Sequence, residues 1–184
     1  MNTKNNRVYQ LTLSALLCAI GIAIPLVSPL KIVLEPASFT LASHVAIFIA
    51  MFISLPTAFA VALGTTFGFF ITGFPLVVVL RAATHVIFAS VGALLLEKRP
   101  NIFRDRVGTQ FFGIGIGMIH SITEVLVVIP FYLGDHLSGA YYDNGFVTSV
   151  LLLVGVGSLI HSIIDYNLSI LLWRILKKTL KPAI

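Results

Sequence analysis

Residues 74–96 read FPLVVVLRAATHVIFASVGALLL, an apolar run interrupted by Arg81 and His85. Crossing a hydrocarbon core about 30 Å thick takes about 20 residues, so the stretch is long enough to span a bilayer as one helix. Its two ionisable residues stand four positions apart, which puts them on one helix face. Arg81 lies about six residues in from the nearer end of the run, roughly 9 Å deep at 1.5 Å per residue. Facing lipid there it would cost about 2–3 kcal/mol or more, so it is expected to face a bundle interior or an outward-opening cavity.

The rest of the chain has the same character. Of 184 residues, 58% are hydrophobic and 10% charged, with a mean hydropathy of +1.01, a balance that no soluble domain of this size needs for its core. The expected class is an all-α integral membrane protein, a bundle of about six transmembrane helices forming a single domain over residues 1–184. That leaves no length for a soluble catalytic domain. The net charge of +5 does not mark a nucleic-acid partner: ten of the twelve Lys and Arg sit in three short clusters that flank apolar runs, which is a membrane-topology signal. The single cysteine, Cys18, lies in an apolar segment and is expected to serve packing. The N-terminal stretch MNTKNNRVYQLTLSALLCAIGIAI has the charge order of a signal peptide, but no small-residue cleavage pattern follows, so it is expected to be a retained first helix.

Apolar periods and breakers predict helices over 9–27, 41–54, 57–73, 75–96, 108–133 and 146–176. The second is short for a full crossing, and a tilted or partly embedded helix is expected there. The tight turns SLPT and TGFP make the second to fourth helices antiparallel neighbours. Lys4 and Arg7, the segment EKRPNIFRDR, and Arg174, Lys177, Lys178 and Lys181 fall on one side of six crossings, which the positive-inside rule makes cytoplasmic, with both termini. The loops SPLKIVLEPASF and GDHLSGAYYDNG, with Glu35, Asp135, Asp143 and the lone Lys31, then face outward.

The four-residue spacing of Arg81 and His85 recurs in His120 and Glu124 of GMIHSITEVLVV and in His161 and Asp165 of GSLIHSIIDYNLSI. With His44 in LASHVAIFIAMF, four helices place ionisable groups on inward stripes. Taken singly, such residues serve as internal pairs, Arg81 with Glu124 or His161 with Asp165, that tie helices together. Together they exceed what helix association requires, and a ligand site is favoured. A divalent-metal site is the first rival, since imidazole and carboxylate are good ligands, although no H-E-x-x-H is present and the histidines of the later helices need not meet. No enzyme is expected: there is no G-x-S-x-G elbow, and neither Cys18 nor any Ser has a histidine at motif spacing. In the first helix, Ala15, Ala19 and Ala23 form a small-residue stripe, suited either to close approach by a partner helix or to internal packing.

These features resemble the substrate-binding S components of the energy-coupling factor (ECF) vitamin transporters. The helix layout, the alanine stripe and the long loop after the first helix carry the likeness over the whole chain. The stretches LEPASFTLASHVAIFIAMFIS, GFPLVVVLRAATHVIFASVGA and IHSITEVLVV most resemble the niacin-specific (NiaX) branch. The resemblance implies a multi-pass protein of the bacterial plasma membrane that takes a vitamin from outside. A transmembrane coupling subunit and two ATPase subunits would deliver the vitamin inward. No G-x-x-x-x-G-K-[ST] loop is present, so ATP would be used by those partners, and no cofactor is expected in this chain. Ala15 and Ala19, with Ala23, would form the docking surface for the coupling subunit. Nicotinate would place its carboxylate on Arg81, while His44, His85 or His120 would meet the carboxylate or the ring nitrogen. His161 belongs to the same polar set, and Glu124 and Asp165 are expected to orient the cationic groups. Phe39, Tyr141 or Tyr142 would cap the ring. Another anionic vitamin such as pantothenate would use Arg81 equally well, and a divalent-metal carrier or a purely structural membrane subunit are the readings outside this class.

Overall fold

The computed structural model describes residues 3–34 and 37–178. These residues are helical except for connections and one two-stranded hairpin. Helix α1 spans Thr3–Val27, α2 Val45–Ile53, α3 Leu55–Ile71, α4 Leu76–Lys98, α5 Arg106–Leu133 and α6 Gly139–Asp143. A π-helical segment, Val147–Val156, runs directly into α7, Gly157–Leu176. Strands β1, Lys31–Leu34, and β2, Ala37–Thr40, pair antiparallel with Lys31 opposite Thr40 and Ile32 opposite Phe39.

Among the described residues, four helices are long and apolar enough to cross a membrane: Arg7–Val27, Leu76–Lys98, Arg106–Leu133 and Val147–Leu176. Their outer faces carry exposed Leu11, Phe111, Met118, Leu126 and Leu171, the surface expected of helices solvated by lipid. The shorter α2 is apolar all round, and all nine of its residues are buried. A helix without a polar face has to be enclosed, and α1, α3, α4 and α7 surround it. The short second helix expected from the sequence is therefore a central post rather than a lipid-facing span. Around it Phe48 packs on Phe88 and Tyr166, and Phe52 on Phe103, Tyr166 and Trp173.

Four expectations need correction. The loop after α1 contains the hairpin, closed at its base by the Leu41 N–H donating to the Leu30 carbonyl at 2.9 Å; its four-residue strands are too short to read from the sequence. The first helix begins at Thr3 instead of 9, and the second opens only at Val45, because residues 41–44 form a turn with Ala42 at φ 69°. The sixth predicted helix opens as a π-helix, and α6 was not foreseen. Within the π-helical segment the Gly155 carbonyl also accepts the Ser121 hydroxyl of α5 at 2.6 Å. Both tight turns are present. Ser54 accepts from the Thr57 N–H ahead of α3, with Pro56 in its first turn, and Gly73 takes φ 81° between α3 and α4, a conformation glycine adopts without strain. Glu35 and Lys181 lie outside the described residues.

Helix α1 lies against α3, with Cys18 opposite Gly64, Gly21 opposite Thr65 and Ile22 opposite Gly68. Cys18 thus serves close packing. The inward face of α1 is Ser14, Leu17 and Gly21, whereas Ala15, Ala19 and Ala23 are all exposed on the opposite side. The small-residue stripe does not pack inside this bundle.

Candidate functional site

Asp165 shows how the polar core is built. It sits on α7 with no exposed surface, and its carboxylate accepts the backbone N–H groups of Ala42 at 2.8 Å and His44 at 2.9 Å. Both groups belong to the turn that opens α2, so a carboxylate from another helix caps the positive end of α2. The positive φ of Ala42 is the local conformation that aims its N–H at Asp165. His44 Nδ1 adds a third contact to Asp165 at 3.1 Å, and His161, one turn earlier on α7, places Nε2 3.3 Å from the same oxygen.

Glu124 on α5 organises the second half. Arg81 Nη2 donates to Glu124 Oε2 at 2.9 Å, and the Ser158 hydroxyl donates to the same oxygen. The other oxygen, Oε1, lies 3.6 Å from His85 Nε2 and 3.4 Å from His120 Nε2. These two are close charge contacts rather than aligned hydrogen bonds, because both imidazole nitrogens lack a hydrogen-bond partner. The two halves meet at His44, whose ring centroid lies 4.8 Å from that of His85, 4.7 Å from His120 and 4.9 Å from His161.

All seven residues singled out from the sequence, His44, Arg81, His85, His120, Glu124, His161 and Asp165, thus converge on one place. The two internal pairs expected of a structural tie, Arg81 with Glu124 and His161 with Asp165, are both formed. They leave groups over: Arg81 Nε and both ring nitrogens of His120 are buried without a partner. Native proteins rarely tolerate such orphans, so each calls for an occupant or a function.

A cavity of about 110 Å³ opens beside this cluster. Arg81, His85, His44, His161 and Glu124 line it, whereas Asp165 and His120 stand behind the lining. Its other walls are Phe39 and Thr40 of β2, Lys31 of β1, Gly21 and Pro25 of α1, Ser43 and Ile47 around the start of α2, Thr65 and Phe69 of α3, Phe74 ahead of α4, Val78 and Ala82 of α4, and Ser158 of α7. Phe69 and Phe74 stack with centroids 4.6 Å apart across the α3–α4 turn. Phe39 lies over Gly157, where an added Cβ would fall 2.6 Å from its ring. The cavity is therefore partly aromatic and partly polar, with the Arg81 guanidinium, three imidazoles, Lys31, Glu124 and several hydroxyls on its walls.

Two aromatic expectations are corrected by position. Tyr141 and Tyr142 do not line the cavity. Tyr141 packs into a separate apolar cluster with Val128, Val150 and Val154, where burial pushes its phenol above the ordinary value. The Tyr142 hydroxyl donates to the Tyr132 carbonyl at 3.2 Å. Conversely, Ser158 and Ser43, the latter with its hydroxyl 3.0 Å from His161 Nε2, were not foreseen. Ser158 could have been found, since it precedes His161 by three residues and Asp165 by seven on one helical stripe.

The fold defines a multi-pass helical membrane protein with a partly polar cavity bounded by α1, the hairpin, α3, α4 and α7. Comparison with known proteins narrows the class: the chain is 44% identical over 177 residues to the "Niacin transporter NiaX" of Lactococcus lactis subsp. cremoris (strain MG1363), covering 96% of this chain and 78% of that protein. The chain belongs to the NiaX family. No family model and no solved structure matches it.

Proposed function

We propose that this chain is the substrate-capture subunit of an ECF-type transporter, binding niacin at the outer side of the bacterial plasma membrane for uptake powered by separate ATPase subunits. The observation that carries the proposal is the cavity bounded by Arg81, His85, His161 and Phe39, in a chain similar to a protein named as a niacin transporter. Arg81 keeps Nε without a partner, so its guanidinium has a donor to offer a carboxylate. Phe39 caps the flat ring, and a cavity imidazole meets the ring nitrogen. Glu124 and Asp165 hold the basic groups in place.

Both termini on the cytoplasmic side would suit this role. The C-terminal end of α1, the hairpin and the first turns of α4 surround the cavity. Phe103, Arg174 and Lys177 share another pocket, which supports assigning the cation-rich segments to the cytoplasmic side. The exposed Ala15, Ala19 and Ala23 would receive the transmembrane coupling subunit, since small residues allow close helix approach. Titration of the purified, detergent-solubilised chain with nicotinate, pantothenate and other B vitamins tests the reading. Saturable binding of nicotinate alone is expected, and a preference for pantothenate would replace niacin as the substrate.

A further inference from the structure

The charges of the site do not by themselves suit an anion. Arg81 and the exposed Lys31 at the cavity wall contribute two positive charges against two negative ones from Glu124 and Asp165, so the site offers an anion no net positive charge. Three imidazoles nevertheless converge without being consumed by these pairs. One ring nitrogen from each of His44, His85 and His120, all three residues buried, lies within 4.8 Å of the others. They come from the start of α2, from α4 and from α5, so the convergence is tertiary and not a property of one helix.

We propose that His44, His85 and His120 hold a divalent transition-metal ion of the zinc type beside the cavity. The donor set is one that zinc, cobalt, nickel and copper favour. His85 Nε2 and both nitrogens of His120 are buried and unpartnered, so lone pairs there have no competing protein donor. Asp165 makes the contact expected of an outer partner: it engages His44 Nδ1 at 3.1 Å, which fixes the tautomer and leaves Nε2 to coordinate. A tetrahedral ion with 2.0–2.1 Å bonds needs nitrogens ~3.4 Å apart, a closing of roughly an ångström that side-chain rotation supplies. Glu124 stands between the three-histidine site and the arginine without taking the fourth position. Its Oε2 is taken by Arg81 and Ser158, while Oε1 faces His85 and His120 and screens the guanidinium from the ion. A second trio, His44, His161 and Asp165, is also close, but there the carboxylate is already engaged by two backbone N–H groups and His44.

Such an ion adds two positive charges beside the cavity and leaves a coordination position for a carboxylate or a pyridine-type nitrogen. This last step rests on the niacin reading; the metal site itself does not. It departs from the expectation of a chain without any cofactor.

The test uses the full chain in detergent, stripped with a chelator and then titrated with Zn2+ and Co2+, followed by nicotinate in the presence and absence of metal. One equivalent of metal is expected, lost in His85→Gln and His120→Gln, with nicotinate binding weakened by the chelator and restored by Zn2+. To keep the test independent of the folding of those variants, Cu2+ bound to the wild-type chain is read by electron paramagnetic resonance, where couplings to imidazole nitrogens are expected. Folded wild-type protein that takes up no metal, or metal bound without imidazole couplings, overturns the proposal. If nicotinate still binds that metal-free protein, the niacin reading survives alone. Metal uptake with imidazole couplings but no nicotinate binding under any condition upholds the metal site and removes the niacin reading in favour of a metal carrier.

Discussion

Arg81 Nη2 stands 2.9 Å from Oε2 of Glu124, and the pair ties α4 to α5 with side chains only 14% and 5% exposed. Removing one member of a buried pair strands the other charge, at a cost of about 3–5 kcal/mol. Glu124→Ala is therefore expected to lower thermal stability markedly, by more than Arg81→Lys, which keeps a positive charge for Glu124. Thermal unfolding of the two variants in the same detergent checks the order; equal melting temperatures would show that the pair contributes little.

Selectivity follows from the same guanidinium. A carboxylate on Arg81 gains a charge-assisted hydrogen bond that an amide cannot match, about 1.5–3 kcal/mol. Nicotinate is expected to bind more tightly than nicotinamide by that margin in competition titrations. Equal affinities would argue that Arg81 does not meet the substrate directly.

Gly157 gives a packing test of the ring slot. An added Cβ would fall 2.6 Å from the Phe39 ring, so Gly157→Ala must shift Phe39, an overpacking cost of about 1–3 kcal/mol. Nicotinate affinity is expected to fall in the folded variant, and Phe39→Ala to weaken binding similarly. Unchanged affinity in both would take Phe39 out of the binding surface.

The alanine stripe separates capture from delivery. Ala19 is exposed on the face of α1 away from the bundle, so Ala19→Trp is expected to leave the melting temperature and nicotinate affinity of the isolated chain unchanged. Uptake by cells carrying the variant is expected to collapse, because a bulky residue blocks close helix approach. Normal uptake would place the coupling subunit elsewhere.

The all-helical membrane architecture and the seven polar positions were legible because lipid makes the rules severe: an ionisable residue inside an apolar span has to turn inward, and i, i+4 spacing says which residues turn together. How those stripes divide into an Asp165 half and a Glu124 half was not legible, because it depends on the turn at Ala42, whose N–H meets Asp165 across 123 positions of sequence. Nor was the hairpin, whose strands have four residues each, too few for a period to register. The enclosure of α2 was half visible: its unbroken apolar run signals burial, but not that protein rather than lipid does the burying. Tyr141 and Tyr142 misled because aromatic residues in an outer loop serve packing as readily as ligand contact, and only the second apolar cluster decides between them.

Arg81 is the proposed anchor of an anionic vitamin, and the niacin reading of the site depends on it. Isothermal titration of nicotinate into purified wild-type chain and Arg81→Ala, with folding of the variant verified by its melting transition, is the measurement that decides it. Saturable binding to the wild type and none to the folded variant is the predicted result. Folded Arg81→Ala that binds nicotinate as tightly as the wild type would contradict the account.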